Sequence, residues 1–481
     1  MFFRRAALHS SRVFKRHQST QPPSNRTRNL LGLGAALIIV PSFIYYTAPK
    51  KPLPKAKDLV VKTKKKVESV IEPIVEKTKE KKAEIEKEIE SEVQQLLDMD
   101  PVAIKYVLVG SGPSSFSAIK GIRKNDEHGE IVMISEESDL PYQKPPLSKE
   151  LWLTGNDDME FKDWQGQNAS VFYKSADYYK EQHVDMELGR KVVAIDAEKQ
   201  IVTLDSGKRY KYDKLLISTG SQPNMLPNVQ SNLVSTYRTL KDYKHLSQLA
   251  KNNKEIVVIG GGFLGSELAV GLSQKGAKVH QVYPESGNLG LVLPDYLSEF
   301  CKKQVEALNV KVSSNSKVKD ISSSNDKVNI ELDNGETIQA DHCVVCIGAK
   351  PNIEMVDQSG FEIDKNGGLL VNQELMARSN IYASGDCISF YDLVLGRRRT
   401  EHYDHAIQSG YHAGLNMTGL QKAYTYQPMY WSDIGPNVSF EAVGILSNKL
   451  QTKSFWNLSD KNEFDKGVVF YVDGSKIGSF N

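Results

Sequence analysis

Short apolar runs alternate with helical stretches from Ile104 onwards. The runs KYVLVG, EIVMIS, EIVVIGG and AKVHQVY have the length and the β-branched content of buried strands. Strands separated by helices in this order are typical of parallel βαβ units. One such pattern begins near Lys105 and a second begins near Glu255. The pattern therefore predicts an α/β fold that contains two units of the same kind.

The first hundred residues follow a different pattern. Residues 1–28 are rich in arginine, and no acid occurs before Asp58, which predicts a mitochondrial presequence. Residues 29–49 are uncharged and long enough to span a bilayer, so we predict a transmembrane anchor there. Residues 50–100 carry 13 lysines and 12 acids and are predicted to form a charged linker with a partly helical stalk. This order places the protein at the mitochondrial inner membrane with its body facing the intermembrane space.

The overall charge gives no sign of a polyanionic partner, because 61 basic residues balance 59 acidic ones and the net charge is +2. Four cysteines are too few for a disulfide framework. Cys343 and Cys346 form a C-x-x-C pair, but positions three apart in a predicted strand point to opposite faces. We therefore interpret them as buried apolar residues and not as a redox pair. No further cluster joins His402 and His405, so no metal site is predicted.

A glycine motif follows the first predicted strand, with Gly110-x-Gly112-x-x-Ser115 at the start of a helix. The first glycine allows a tight turn, and the second lets backbone amides approach a pyrophosphate. Ser115 replaces the third glycine and is small enough for close packing between helix and strand. Glu136 follows at the end of the next predicted strand, where a carboxylate can accept hydrogen bonds from ribose hydroxyls. The motif therefore predicts a dinucleotide site.

A second glycine motif, Gly260-x-Gly262-x-x-Gly265, follows the strand that begins near Glu255. Glu285 comes after the next predicted strand, and an acid at that place favours the free 2′-hydroxyl of NADH over the phosphate of NADPH. Two correctly spaced motifs in one chain predict two dinucleotide cofactors.

Three further motifs indicate which cofactors these are. Residues 215–220 read LLISTG, residues 343–351 read CVVCIGAKP, and residues 381–386 read IYASGD. Together with the two glycine motifs they resemble the glutathione-reductase-like flavoproteins. The resemblance implies FAD in the first site, NADH in the second, and an NADH-binding domain inserted within the FAD-binding domain.

Longer sequence words narrow the resemblance to the apoptosis-inducing factor family, and the similarity runs from about residue 104 to about residue 446. The words are PYQKPPLSKELW at 141–152, GGGFLGSELA at 260–269, ARSNIY at 377–382, LGRRR at 395–399, EHYDHA at 401–406 and WSDIGP at 431–436.

Site residues follow from the positions that match this family. The resemblance implies FAD contacts at Gly110, Ser111, Gly112, Pro113, Ser114, Glu136, Glu137, Lys144, Lys149, Val192, Arg238, Asp386, His402 and Tyr403. It implies NADH contacts at Trp164, Gly261, Gly262, Phe263, Leu264, Glu285, Gly348, Glu401, His402, Trp431 and Glu441. The catalytic set would be Lys149, Glu267 and His402.

Two positions depart from the family. Lys144 stands where the family has arginine, which reduces a bidentate phosphate contact to a point charge. Leu291 stands where the family has lysine, and this is expected to weaken NADH binding.

The expected domain boundaries place the FAD-binding domain at 101–244 and 347–428 and the NADH-binding domain at 245–346. A short α+β C-terminal domain, truncated relative to the family, is expected at 429–481.

The resemblance implies an NADH:acceptor oxidoreductase that transfers hydride from NADH to FAD. It also implies dimerisation on reduction, a role in respiratory-chain biogenesis or import through a protein partner, and a role in caspase-independent cell death with nuclear relocation. Nucleic-acid binding follows only from the family. The electron acceptor stays open, and so do two alternatives: a fast reductase of a ferredoxin, quinone or ascorbate radical, and an NADH-sensing scaffold with incidental turnover.

Overall fold

The computed structural model describes residues 100–480, except residues 164, 357–359, 460–463 and 475. The predicted presequence and anchor, and the linker up to residue 99, lie outside the described residues, as does Trp164. Among the helices that are described, none combines the length and the apolar character needed to cross a bilayer.

Seven α-helices and 28 strands are described. Helices α1 to α7 span Pro113–Arg123, Glu150–Leu153, Ala176–Glu181, Leu240–Lys251, Phe263–Gln274, Asp295–Ala307 and Tyr403–Met417, and short 3₁₀ turns lie at Pro145–Ser148 and Gly385–Cys387. Strands β1 to β28 span Val102–Val109, Ile131–Ser135, Glu160–Lys162, Asn168–Ser170, Val184–Leu188, Val192–Asp196, Ile201–Leu204, Arg209–Ile217, Ser221–Pro223, Val234–Thr236, Glu255–Ile259, Lys278–Val282, Val310–Ser313, Val318–Ser324, Lys327–Leu332, Thr337–Ala340, His342–Val345, Ala349–Pro351, Leu369–Leu370, Met376–Arg378, Ile381–Ala383, Ile388–Asp392, Gly396–Arg398, Met429–Ile434, Val438–Val443, Gln451–Leu458, Phe464–Asp473 and Lys476–Phe480.

The largest sheet has eight strands, in the order β20-β21-β8-β1-β2-β5, with β7 joined to β8 and β6 joined to β7. Strands β21, β8, β1, β2 and β5 are parallel to one another, whereas β20 and β7 pair antiparallel with β21 and β8. All five residues of β2 are buried, as expected for a parallel strand that is covered on both faces. The parallel βαβ prediction for the first unit is confirmed.

The second sheet has five parallel strands in the order β10-β17-β11-β12-β13. Its residues lie between β8 and β21 in the chain, so it interrupts the residues of the first sheet. The edge strand β10 comes before residue 245, where the sequence analysis begins the NADH-binding domain. A three-residue strand has too short a pattern to be recognised before its pairing with β17 is known.

The C-terminal part is a five-stranded antiparallel sheet in the order β24-β25-β28-β27-β26. The expectation of an α+β domain is wrong for its described residues, which contain strands and no helix. The long hairpin formed by β26 and β27 packs on α6 through an aromatic cluster, in which Phe464 contacts Tyr296, Phe300 and Trp456.

Helices α1 and α7 pack with their backbones almost in contact. A Cβ atom on Gly410 would lie 2.2 Å from the carbonyl oxygen of Ser114, and one on Gly414 would lie 2.2 Å from that of Ala118. Only glycine fits at these two positions of α7, because any larger residue would push α1 away. The packing fixes the start of α1, where the first glycine motif lies.

Candidate functional site

The first glycine turn connects β1 to α1. Gly110 has φ +114, and a Cβ atom there would lie 2.4 Å from the carbonyl oxygen of Ser218, so the turn requires glycine. A Cβ atom on Gly112 would meet nothing within 4 Å, so this side of the turn is open. No side chain caps α1, which begins at Pro113 and leaves first-turn N–H groups free for an anion. The turn therefore fits a dinucleotide pyrophosphate.

Ser115, at the third position of this motif, is fully buried. Its hydroxyl donates to the carbonyl oxygen of Gly110 at 2.6 Å and lies 2.5 Å from Oγ of Ser218. The serine therefore replaces the packing role of glycine with hydrogen bonds inside the turn. Beside it, Ser114 Oγ lies 2.5 Å from Ser384 Oγ, just before the 3₁₀ turn that carries Asp386.

The second glycine turn connects β11 to α5 and has the same geometry. Gly260 has φ +122, and a Cβ atom there would lie 2.2 Å from the carbonyl oxygen of Cys346. A Cβ atom on Gly265 would lie 2.2 Å from the carbonyl oxygen of Gly260, so the third glycine is required for packing. Gly262 again faces open space, and no side chain caps the helix that begins at Phe263. This turn also fits a dinucleotide.

The two predicted acids lie where the sequence expects them, directly beyond β2 and shortly after β12. Glu136 is largely exposed and lies 3.5 Å from the ammonium of Lys191. Glu285 is half-buried, in a loop held to the second turn by a bond from the Leu289 N–H to the carbonyl oxygen of Gly261.

Lys144 is held inside the protein by two neighbours. Its ammonium donates to Glu137 Oε1 at 3.0 Å and to the Tyr142 hydroxyl at 2.6 Å. The Tyr142 hydroxyl in turn donates to Glu137 Oε2 at 2.5 Å. Burial lowers the pKa of Lys144, and the Glu137 charge opposes that shift. Tyr142 was missed as a site residue, although it lies in the family word at 141–152.

Arg238 and Asp386 form an ion pair that joins two distant parts of the chain. The guanidinium of Arg238 lies 3.0 Å from Asp386 Oδ2, which also accepts a bond from Ser221 Oγ at 2.9 Å. The structure therefore brings together two predicted FAD residues, and it adds Ser221, which the sequence analysis did not single out.

Lys149 and Glu267 form a buried ion pair, with 2.7 Å between Nζ and Oε2 and side chains that are 10% and 5% exposed. Ser148 Oγ donates to Glu267 Oε2 and Ser432 Oγ donates to Glu267 Oε1, each at 2.5 Å. Every oxygen of the buried carboxylate therefore has a donor, which a buried charge requires. The two serines were missed, although both lie inside family words.

His402 precedes α7 and lies against the C-terminal sheet. The backbone N–H of Asp404 lies 3.2 Å from Nδ1, and that of Trp431 lies 3.3 Å from Nε2. Burial, together with the Lys149 charge, lowers the pKa of His402 to about 4. The imidazole is therefore neutral at pH 7 and can accept one of these two bonds at a time. The Trp431 ring packs edge-on against it, with centroids 4.6 Å apart.

Other predicted residues surround these groups. Glu401 bonds to Arg399, and burial raises the pKa of Glu401. Tyr403 accepts a bond from the Tyr173 hydroxyl at 3.0 Å. The remaining ones are Gly348, which has φ +89, Val192, which begins β6, and Glu441, which pairs with Trp431 across β24 and β25.

The C-x-x-C prediction needs one correction. Cys343 lies in β17, but Cys346 is the first residue beyond that strand, because the strand ends where the chain turns toward Gly348. Burial raises the pKa of both thiols, to about 12 for Cys346. Both are free thiols. In the part of the chain that the structure describes, no group of three His, Cys, Asp or Glu residues is arranged to hold a metal.

Comparisons with known proteins agree with this geometry. Residues 104–410 match the family "Pyridine nucleotide-disulphide oxidoreductase", and residues 413–462 match "Apoptosis-inducing factor, mitochondrion-associated, C-term". Apoptosis-inducing factor 1, mitochondrial, of Dictyostelium discoideum is 39% identical over 397 residues, which are 78% of this chain and 75% of that protein. Rubredoxin-NAD(+) reductase of Pseudomonas putida is 28% identical over 346 residues, 71% of this chain and 87% of that protein.

Among solved structures, a ferredoxin reductase for the CYP199A2 system from Rhodopseudomonas palustris superimposes with a TM-score of 0.68 at 27% identity, covering 78% of this chain and 91% of that one. The cofactors of this family are FAD and NAD(H). The chain therefore belongs to the pyridine nucleotide-disulphide oxidoreductase family, and it is an apoptosis-inducing-factor-like, NADH-dependent FAD oxidoreductase.

Proposed function

We propose that the first glycine turn holds FAD, that the second holds NADH, and that the buried Lys149–Glu267 pair lies at the reacting ends of the two cofactors. The observation that carries this proposal is the pair of open glycine turns, each at the start of a helix that no side chain caps. When both cofactors are bound, NADH supplies a hydride and FAD accepts it.

The FAD-side residues bind and orient. N–H groups at the start of α1 meet the pyrophosphate, Glu136 accepts bonds from the ribose, and Asp386, fixed by Arg238 and Ser221, accepts from the polyol chain. Lys144 adds a single positive charge that Glu137 partly neutralises.

The NADH-side residues orient the nicotinamide and keep water out. Glu285 accepts from the adenosine ribose and disfavours a 2′-phosphate. Trp431 offers an aromatic face, and neutral His402 adds no charge of its own. The role of Lys149 is to place its positive charge near the flavin, where negative charge develops on reduction. A charge that is already in place needs no reorganisation during the reaction.

The cellular setting of this activity rests on sequence and on the relative from Dictyostelium discoideum, which is named as mitochondrial. The NADH-binding domain comprises 245–346 with the edge strand β10, the FAD-binding domain comprises the rest of 101–244 together with 347–428, and the C-terminal domain comprises 429–481. The N-terminal anchor attaches the protein to the inner membrane, facing the intermembrane space. Reduction promotes dimerisation, and the protein serves respiratory-chain biogenesis or import, with release and nuclear relocation in caspase-independent cell death.

A spectrum of the purified protein tests the central claim. The protein should carry flavin absorption bands that bleach on anaerobic addition of NADH and not of NADPH. Substitution of Gly112 or Gly262 by valine should remove FAD binding or NADH binding, respectively, because each new side chain fills the open face of one turn. A colourless protein that does not take up FAD on reconstitution would contradict the proposal.

The second candidate is a fast reductase of a ferredoxin, which the structural similarity to the Rhodopseudomonas palustris ferredoxin reductase favours. Stopped-flow mixing of the NADH-reduced protein with a ferredoxin separates the two functions. Rapid reoxidation by the ferredoxin supports this candidate, whereas slow reoxidation supports a long-lived reduced state that acts through dimerisation.

A further inference from the structure

Glu267 is the point where three parts of the fold meet. It lies on α5, beside the second glycine turn, while its ion-pair partner Lys149 follows the 3₁₀ turn Pro145–Ser148 of the other unit. Its third neighbour, Ser432, lies on β24 of the C-terminal sheet and is 1% exposed. The donor on Glu267 Oε1 is the Ser432 hydroxyl, at 2.5 Å, whereas Oε2 receives Lys149 and Ser148.

Strand β24 delivers two consecutive side chains to this region. Successive residues of a strand point to opposite faces. Trp431 therefore packs against His402, while Ser432 faces Glu267. Contacts of Phe263, at the start of α5, with Tyr430 and Phe440 hold the strand against the helix.

We infer that Ser432 is a positioning residue that holds the Glu267 carboxylate, and through it the Lys149 ammonium, in place beside the flavin. Without its hydroxyl, Glu267 Oε1 would stay buried without a donor. The carboxylate would then rotate toward Ser148, and this change releases Lys149 from its fixed partner. This inference rests on the proposed function, because Lys149 matters only if the flavin lies beside it.

Other charged groups near the Lys149–Glu267 pair could also change the flavin midpoint potential as the pH is varied. Glu150 interacts electrostatically with Lys149 and with Asp433, and His402 interacts with Lys149 from the start of α7. Burial lowers the pKa of His402 to about 4, so it stays neutral through most of the titration. Burial raises the pKa of Glu150. Every variant below keeps Glu150, so its effect on the midpoint potential cancels when the variants are compared.

The test is the flavin midpoint potential of the FAD-loaded full chain between about pH 5 and pH 8, with the visible spectrum recorded at each point. Ser432→Ala should make the flavin midpoint potential more negative than that of the wild type, because a Lys149 ammonium that is no longer held in place stabilises the negative charge of the reduced flavin less. The difference should persist across this pH range, because it comes from the lost hydrogen bond to Glu267 Oε1.

Three further variants separate positioning from folding. Ser432→Thr keeps the hydroxyl and should restore the wild-type profile. Ser432→Cys keeps the volume with a weak donor and should shift the profile in the same direction as alanine, even if Ser432→Ala loses its flavin. Ser439→Ala removes a serine that donates to the carboxylate of Asp433 in the same hairpin and should leave the profile unchanged.

A folded, flavin-loaded Ser432→Cys or Ser432→Ala protein with the wild-type potential and spectrum at every pH would overturn the inference, even if its melting temperature falls. In that case FAD binding and reduction by NADH in the wild type would leave the proposed function standing. Failure of the wild type to bind FAD would instead remove the proposed function itself.

Discussion

At the scale of single residues, we expect Leu291 to affect how tightly NADH binds. Its side chain is 66% exposed, in the loop that begins at Glu285 and is bonded to the second glycine turn through Leu289. The family resemblance implies a lysine at this position, and the leucine side chain carries no positive charge for a bound dinucleotide.

Leu291→Lys should therefore strengthen NADH binding about two- to fivefold, the usual gain from one exposed charge contact. The gain should shrink as salt is raised, since exposed charges are screened. Titration of NADH under anaerobic conditions at two salt concentrations checks both effects. Leu393→Lys adds the same charge at another exposed position and serves as the control. Equal gains in both variants would show that the effect comes from net charge and not from this loop.

At the scale of elements, contacts between pairs of elements hold the first glycine turn and the C-terminal hairpin in place. The start of α1 depends on the close approach of α7, where the chain has glycine at both points of contact. The hairpin of β26 and β27 depends on α6, since Trp456 bonds to the Tyr296 hydroxyl and packs on Phe464.

Gly414→Ala should destabilise the protein by about 2 kcal/mol, because its new methyl group would overlap the Ala118 carbonyl and force α1 outward. FAD should also bind several-fold more weakly, since the moved helix carries the first glycine turn. Urea unfolding and FAD titration measure the two effects. Leu415, at the neighbouring position, lines a surface pocket. Leu415→Ala adds no atom toward α1, so the FAD affinity of this variant should equal that of the wild type.

Trp456→Ala should release the hairpin from α6 and cost about 2 kcal/mol, because a half-buried aromatic contact and its hydrogen bond are lost. Faster hydrogen exchange across β26 and β27 is the expected signature. Phe455 lies on the opposite face of β26 and is 54% exposed, so Phe455→Ala should leave exchange almost unchanged. Matching exchange in both variants would show that the aromatic cluster does not hold the hairpin.

At the scale of the whole molecule, we expect buried histidines to make the stability of the fold sensitive to acid. Burial lowers the pKa of His280, His342, His402 and His405 to about 4 in each case. An unfolded chain binds these protons near pH 6.5, so it takes up more protons than the folded one between the two values. The stability from these groups is therefore complete above about pH 6.5 and is lost as the pH falls toward 4.

The unfolding free energy should therefore fall steeply between about pH 6.5 and pH 4. The double substitution His280→Asn and His342→Asn, in the second sheet and away from the candidate site, should flatten this slope. Denaturant unfolding at several pH values gives the measurement. His128→Asn replaces an exposed histidine and should keep the wild-type slope. A double variant with an unchanged slope would assign the acid sensitivity to other groups.

Much of this protein follows from local sequence. The two glycine motifs predict two dinucleotide turns, and the structure places Gly110 and Gly260 at positive φ against neighbouring carbonyls. Such motifs can be recognised from sequence because steric limits on the backbone act between residues close in the chain. The family words extend this reading to Lys149, Glu267 and Trp431, whose functional roles remain predictions.

Only the tertiary structure decided which distant residues meet. Ser432 reaches Glu267 across 165 positions, and Ser221 reaches Asp386 across the same separation. The edge strand β10 and the all-strand character of the described C-terminal residues also emerged only with pairing partners in place. Hydrogen bonds between distant side chains leave no periodic trace in a sequence, because their geometry is set by the packing of whole sheets and not by neighbours along the chain.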